Sequence, residues 1–227
     1  MKVHRTIVSI LGAAVLAGAI AAPVAAAPAA QGAKGAPAPA APAPAGSILA
    51  LLEADGTAFD RDWYDFDILE AAGRTVLGAK PGSQVSAITV PNANITVFAP
   101  NDRAFQVFAA SITGKWSWTE EAVVNSLVTA LGAGAVDTIE RVLLYHVLPG
   151  KVDFATARSV SGTPVPTALG PTSTITPRFI PWLNTLVLRD QDPNAADPWV
   201  VNSKRDIPVG TNSIVHGIAL VLRPDDL

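Results

Sequence analysis

The chain has no cysteine among its 227 residues. This absence excludes disulfide scaffolds, cysteine-ligated zinc, iron–sulfur clusters and thiol nucleophiles. Histidine is scarce as well, and three residues leave little material for metal coordination or acid–base catalysis. Charge is low and shows no basic excess, since 16 lysines and arginines stand against 19 aspartates and glutamates. Because a nucleic-acid binder needs a positive surface to neutralise phosphates, that class is excluded, and a binding or structural module is favoured.

The common catalytic sequence patterns are also missing. The chain has no G-x-S-x-G elbow, no phosphate-binding loop, no H-E-x-x-H motif and no dinucleotide fingerprint. His146 and His216 lie far apart in the sequence, so nothing local makes them a metal-binding pair. We therefore predict that the protein is not an enzyme and that it has no cofactor and no metal site.

An acidic stretch runs from Asp55 to Glu70. A calcium-binding loop needs oxygen ligands at alternate positions, a glycine at the sixth position and a glutamate at the twelfth. Counted from Asp60, the sixth residue is Asp65 and the twelfth is Ala71, so the pattern fails. The sequence predicts a solvated acidic face here.

The N-terminus has the order of a secretory signal peptide. Lys2 and Arg5 give a positive start, the stretch 6–22 is uncharged and largely apolar, and small residues follow Pro23. We predict a signal peptide at residues 1–26 and a secreted or cell-surface protein. An uncleaved membrane anchor is the alternative, and we expect no membrane span in the mature chain.

Residues 27–46 form an alanine- and proline-rich linker with a single charge, Lys34. Proline fixes φ and disfavours helix in the residue before it, so the segment predicts an extended spacer that buries no core. From Ser47 the composition becomes that of a globular protein. We predict one domain over residues 47–227.

Hydrophobic spacing predicts helices early in this domain and strands late. Four helices are predicted to begin at Ser47, Phe66, Asn101 and Ser117, the last with a capping box to Glu120, and a fifth is predicted to end at Pro149-Gly150. Strands are predicted at 95–100, 185–189, 199–202 and 213–222. Because helices and strands are segregated along most of the chain, the pattern indicates an α+β domain rather than βαβ repeats.

Three polar or aromatic residues have a predicted place in the core. His146 follows Leu143 by three positions on the fifth helix, so we expect it to be largely buried. We expect Tyr145 to be at least partly buried, with its hydroxyl on a polar partner or water. His216 shares a strand face with apolar residues, by the period of two, and we expect it to be structural.

Trp116 and Trp118 flank Ser117. On an extended segment the two indoles share a face and could stack on a sugar or on a protein partner. The alternative, which we favour from the sequence, is that both rings pack as anchors inside the domain.

Three blocks of the sequence resemble the fasciclin (FAS1) domain family, and they occur in the family's order. They are ITVFAPNDRAF at 95–105, LLYHVLPGKV at 143–152 and NSIVHGIALVL at 212–222. The first resembles a strand followed by a polar-capped helix, the second resembles a central Tyr-His block, and the third resembles the closing block. One copy of the domain accounts for residues 47–223.

The resemblance implies an α+β fold in which a β-wedge or sandwich packs against several helices. Four polar residues of its blocks have expected structural roles. We expect the side chains of Asn101 and Asp102 to cap the helix that starts there. We expect Asn212 to form a tight turn with positive φ before the last strand, on which His216 lies.

The resemblance also implies candidate binding residues. Tyr145 and His146 match the family's proposed recognition motif, although packing is an equally suitable role for them. Arg205-Asp206-Ile207 resembles a Lys-Asp-Ile stretch linked to integrin adhesion in animal members, which makes Asp206 and Ile207 candidates.

Two functions follow as expectations. The first is a secreted or cell-surface adhesion or matrix-association module whose partners are proteins or polysaccharide. The second is an extracellular carrier of a small hydrophobic ligand held in an apolar groove. A flat polar surface favours adhesion, whereas exposed apolar residues along one groove favour the carrier.

Overall fold

The computed structural model describes residues 42–54, 56 and 58–226. One sheet has four strands, which are β1 (Ile95–Pro100), β2 (Val147–Pro149), β6 (Ile207–Val209) and β7 (Ser213–Ile218). Strands β1 and β7, two runs of mostly β-branched and apolar residues, pair side by side at its centre. The strand order is β2-β1-β7-β6, with β1 and β7 parallel and both outer pairs antiparallel. The predicted signal peptide and most of the predicted linker lie outside the described residues.

A second sheet has three antiparallel strands. They are β3 (Val165–Thr167), β4 (Gly170–Ile180) and β5 (Thr185–Arg189), in that order. Strand β4 is the longest strand described, yet no sequence pattern predicted it. Gly170, Pro171 and Pro177 interrupt the alternation of residue types on which strand prediction depends.

Six α-helices accompany the two sheets in the described part of the chain. They are α1 (Ile48–Leu52), α2 (Asp67–Ala79), α3 (Asp102–Thr113), α4 (Glu120–Leu131), α5 (Ala135–Tyr145) and α6 (Phe154–Ser159). The predicted α+β class is therefore confirmed. The first five helices were expected from apolar spacing, whereas α6 was not, because six residues are too few for a periodic pattern.

Two predicted helix ends are wrong. Helix α4 is capped by Thr119, whose Oγ1 accepts a hydrogen bond from the backbone N–H of Ala122 at 3.2 Å, and not by Ser117. Helix α5 ends at Tyr145 rather than at Pro149-Gly150. The residues that follow pair with β1 as strand β2, because their apolar side chains fit the sheet.

The turn before β7 also differs from the expectation. Positive φ occurs at Gly210, with φ of 57°, and not at Asn212. A Cβ at Gly210 would collide with the side-chain amide oxygen of Asn92, so glycine is required there for two reasons.

The two faces of the four-stranded sheet line two separate cores. Val97 and Val215 face the helices and join a core with the apolar sides of α1 to α5. Phe98 and Ile218 face the other way and meet the second sheet, where Leu188 is fully buried. Because side chains alternate along a strand, β1 and β7 hold both cores together.

The helical run Glu120–Tyr145 is long and apolar enough to cross a membrane by length and composition. It is interrupted at Gly132, where φ is 62°. Val123, Leu143 and Tyr145 on this run pack into the two cores of the domain. We therefore describe it as two packed helices of the fold.

Candidate binding surface

Tyr145 lies at the end of α5 and is fully buried between the two sheets. Its hydroxyl donates a hydrogen bond to the backbone oxygen of Thr174 on β4, at 2.6 Å. Burial raises the pKa of this hydroxyl, so it stays protonated. The predicted burial of Tyr145 and the predicted polar partner of its hydroxyl are both confirmed.

His146 follows directly and is buried as predicted. Its Nε2 accepts a hydrogen bond from the backbone N–H of Leu222 at 3.0 Å. The proton is therefore on Nδ1, which donates to the backbone oxygen of Val142 at 2.7 Å. Burial lowers the pKa of His146 to about 4, so the ring is neutral and joins α5 to the C-terminal segment.

His216 is also buried, on β7, and its ring stacks on Phe98 with 5.5 Å between centroids. Its Nδ1 accepts from the backbone N–H of Asp206 at 3.1 Å, and its Nε2 donates to the backbone oxygen of Val152 at 2.9 Å. Burial lowers the pKa of this ring as well. These contacts are those of a structural residue.

Asp206 and Ile207 position the backbone around His216. Asp206 has φ of 57°, and its Oδ1 accepts a hydrogen bond from the backbone N–H of Phe154 at 2.7 Å, at the start of α6. Ile207 begins β6 and is half-buried against β7. Contact between these two residues and a partner stays a prediction. The same holds for Tyr145 and His146, whose side chains are buried.

The two polar residues after β1 cap different helices. Asn101 caps α3 as predicted, since its side-chain oxygen accepts from the backbone N–H of Ala104 at 2.9 Å. Asp102 does not cap α3. Its carboxylate accepts from the backbone N–H groups of Asp67 and Ile68, at 3.2 and 2.8 Å, and so caps α2 from outside.

The acidic stretch is the predicted solvated face only in part, since Asp60 and Asp62 are exposed. Asp65, Asp67 and Glu70 are buried, and Glu70 pairs with Arg74. The stretch turns inwards because the start of α2 packs against Asp102 at the start of α3.

The exposure of the tryptophans was not predicted from the sequence. Four of the five tryptophans are at least 38% exposed: Trp116, Trp118, Trp182 and Trp199. The expectation that Trp116 and Trp118 pack inside the domain is wrong for Trp118, which is 80% exposed. Its indole meets that of Trp116 edge to face, with 6.2 Å between centroids.

The turn between β4 and β5, residues 181–184, carries the most exposed of these rings and is called the hairpin tip below. Trp182 is 82% exposed and Leu183 beside it is 58% exposed. The tip is held from the side, because Asn202 donates to the backbone oxygen of Leu183 at 3.2 Å. Arg205 donates to the backbone oxygen of Asn184 at 3.1 Å, while its guanidinium lies over the ring of Phe154, 4.2 Å from the ring centroid.

An apolar groove lies between helices α2, α3, α4 and α5. Its cavity volume is 70 Å³, and its lining is almost entirely hydrocarbon. The lining residues include Ile68, Phe105, Val124, Leu127, Val128 and Leu131. Val128 is 45% exposed at its edge.

The family model described as Fasciclin domain matches residues 79–224. No curated protein matches. One similar solved structure is a FAS1 domain pair from the insect cell adhesion molecule Fasciclin I, with 15% identity, a TM-score of 0.40 and coverage of 69% of this chain. This chain spans 43% of that one. Since the family model covers more than half of its residues, the chain belongs to the fasciclin domain family.

Proposed function

We propose that this protein is a secreted or cell-surface adhesion module that binds proteins or polysaccharide through the hairpin tip. Fasciclin domains are associated with adhesion and binding, which supports the general class. The observation that carries the proposal is the exposure of Trp182 and Leu183 on a turn whose backbone Asn202 and Arg205 hold by hydrogen bonds.

The hairpin tip has the composition of a binding hot spot. Tryptophan and arginine are enriched among the residues that carry most of the binding energy of interfaces. An indole with two rotatable bonds supplies a large contact area at a low cost in conformational entropy. The hydrogen bonds from Asn202 and Arg205 hold the backbone of the tip before any partner arrives, so less entropy is lost on binding.

The histidines of the described chain support a role without catalysis. Both ring nitrogens of His146 and both of His216 are used in hydrogen bonds to the backbone. Burial keeps both rings neutral and away from solvent. A general base needs a free nitrogen within reach of a substrate, so neither ring is suited to that task.

The proposal is tested by attachment of beads coated with the full chain to envelope fragments of the producing cell. Trp182→Ala should reduce attachment about tenfold or more, as for a hot-spot residue. Trp118→Ala is the matched control, because its indole has nearly the same exposure, and it should attach like the parent. Equal attachment of the Trp182 variant and the parent refutes the assignment to the tip. Protease or glycosidase treatment of the fragments separates protein from polysaccharide partners.

The second candidate function is the carrier of a small hydrophobic ligand, and the apolar groove favours it. At 70 Å³ the cavity is smaller than the roughly 150 Å³ engineered cavity that admits benzene, so α4 must move outwards to hold a larger ligand. Solvent extraction of the purified protein followed by mass spectrometry tests this function. A stoichiometric apolar molecule supports the carrier, and its absence from protein prepared from the native source contradicts it.

A further inference from the structure

Five carboxylates from three separate segments of the chain meet near the start of α4. They are Asp60, Asp65, Asp67, Asp102 and Glu120, and are called the carboxylate cluster below. They form two groups of three: Asp65, Asp102 and Glu120 in one, and Asp60, Asp67 and Glu120 in the other. Within each group one oxygen of every residue lies within 4.8 Å of the other two, and all members except Asp60 are buried.

Glu120 belongs to both groups and has an oxygen that the protein does not satisfy. Its side chain is fully buried, and its Oε2 accepts a hydrogen bond from the backbone N–H of Asp60 at 2.7 Å. Its Oε1 is buried and has no hydrogen-bond partner. A buried carboxylate oxygen without a partner is costly, so this atom points to a group that completes it.

Backbone N–H groups donate hydrogen bonds to Asp102 and Glu120. Within the described residues no lysine or arginine forms an ion pair with Asp102 or Glu120. The nearby basic groups are used elsewhere, since Lys204 bonds to the backbone oxygen of Tyr64 and Arg103 bonds to Gln106.

We propose that the carboxylate cluster is a binding site for one divalent cation of the calcium type, with Asp65, Asp102 and Glu120 as its central ligands. Calcium takes six to eight oxygens at 2.3–2.6 Å, so oxygens on opposite sides of one ion lie at most about 5 Å apart. The spacing in both groups fits this limit. The ion completes the unsatisfied oxygen of Glu120.

Calcium suits the site better than magnesium does. Magnesium requires a nearly ideal octahedron at 2.0–2.1 Å and usually keeps several waters, whereas calcium accepts irregular sets of carboxylates. A site closed on most sides by buried side chains leaves little room for a hydrated magnesium ion. The bound ion links the loop before α2 to the starts of α3 and α4, in addition to the hydrogen bonds between these segments.

The proposal is tested by titrating CaCl₂ into the metal-free full chain, by calorimetry and by thermal melting, with MgCl₂ in parallel. The parent should bind one calcium ion, and its melting temperature should rise by about 5 °C or more at a hundredfold excess over the dissociation constant. Magnesium should bind more weakly. Absence of both calcium effects in the folded parent at 10 mM CaCl₂ overturns the proposal.

The variants Glu120→Gln and Glu121→Gln form a matched pair, because the two glutamates are neighbours on α4 and Glu121 is exposed. Glu120→Gln should lose the calcium response, and Glu121→Gln should keep it. Equal responses of the two variants contradict the site. If Glu120→Gln does not fold, Asp60→Asn is measured instead, because Asp60 is exposed and its substitution should not disturb the core. A calcium affinity about tenfold weaker than that of the parent supports the site, and an unchanged affinity refutes it.

Discussion

Tyr145 is the largest fully buried side chain among the described residues, and its ring lies between the two sheets. Tyr145→Ala should lower the free energy of unfolding by ~3 kcal/mol or more, because a large core cavity is left. Tyr145→Phe should cost about 1 kcal/mol, since the hydrogen bond to the backbone of Thr174 is lost. Urea denaturation measures both. Tyr64→Ala is the control, because Tyr64 is 65% exposed, and it should change stability by no more than ~0.5 kcal/mol.

His146 should make stability depend on pH. Its pKa is lowered to about 4 in the native state, against 6.5 in the unfolded chain. The unfolded state therefore binds the proton first as the pH falls, so stability is fully present above pH 6.5 and is lost towards pH 4. The loss from this one ring is roughly 3 kcal/mol at pH 4.

Comparison with His146→Gln isolates this effect. Asp102 has the opposite effect on the pH dependence of stability. Because its pKa is raised in the native state, stability falls as the pH rises above the pKa of this aspartate in the unfolded chain. The difference in the free energy of unfolding between the parent and the variant should shrink by about 3 kcal/mol from pH 7 to pH 4. A constant difference over this range would show that His146 is not a buried neutral ring.

For individual residues, the sequence predicted burial better than it predicted hydrogen-bond partners. The helical spacing of His146 after Leu143 was enough to predict that His146 is buried. The sequence could not show that Asp102 caps α2, because Asp102 and Ile68 meet only when two helices pack. Nor could it show that Trp118 and Trp182 are exposed, because hydrophobicity alone predicts burial.

Among the elements, the turn between β6 and β7 depends most clearly on one residue. Gly210 has positive φ, and a Cβ there meets the side chain of Asn92. Gly210→Ala should therefore lower the free energy of unfolding by ~1–3 kcal/mol. Gly78→Ala is the matched control, because Gly78 is a helical residue of α2 with open space around it, and it should raise stability by ~0.4–1 kcal/mol. Thermal and urea denaturation measure the stability of both variants. Equal effects of the two substitutions would contradict the claim that the turn at Gly210 requires glycine.

Elements with regular spacing were predicted and irregular ones were not. Helices α2 and α3 and strands β1 and β7 have uninterrupted apolar patterns, and their existence was predicted correctly. Strand β4 contains two prolines, and its pairing depends on neighbours on both sides. Residues 147–149 likewise form β2 because they pair with β1, and a prediction from neighbouring residues in the sequence cannot detect that contact.

In the whole molecule, both candidate sites are assembled by tertiary structure. The calcium-loop pattern failed because it tests consecutive residues, whereas the carboxylate cluster takes its members from a loop and from the starts of α2, α3 and α4. The hairpin tip is completed by Arg205, which belongs to the segment before β6. The family blocks, by contrast, form the parallel pair β1 and β7 and the buried end of α5, which are parts of the core.

Under the proposed function, Tyr145 and His146 belong to the core and the hairpin tip makes the contact with a partner. Attachment per folded molecule, measured with bead-bound protein whose folded fraction is known from melting, separates these two roles. Trp182→Ala should melt like the parent and attach about tenfold or more weakly. Tyr145→Ala should melt at a lower temperature and, at a temperature where it is folded, attach like the parent. The reverse result, with normal melting and lost attachment for Tyr145→Ala and normal attachment for Trp182→Ala, would contradict the account.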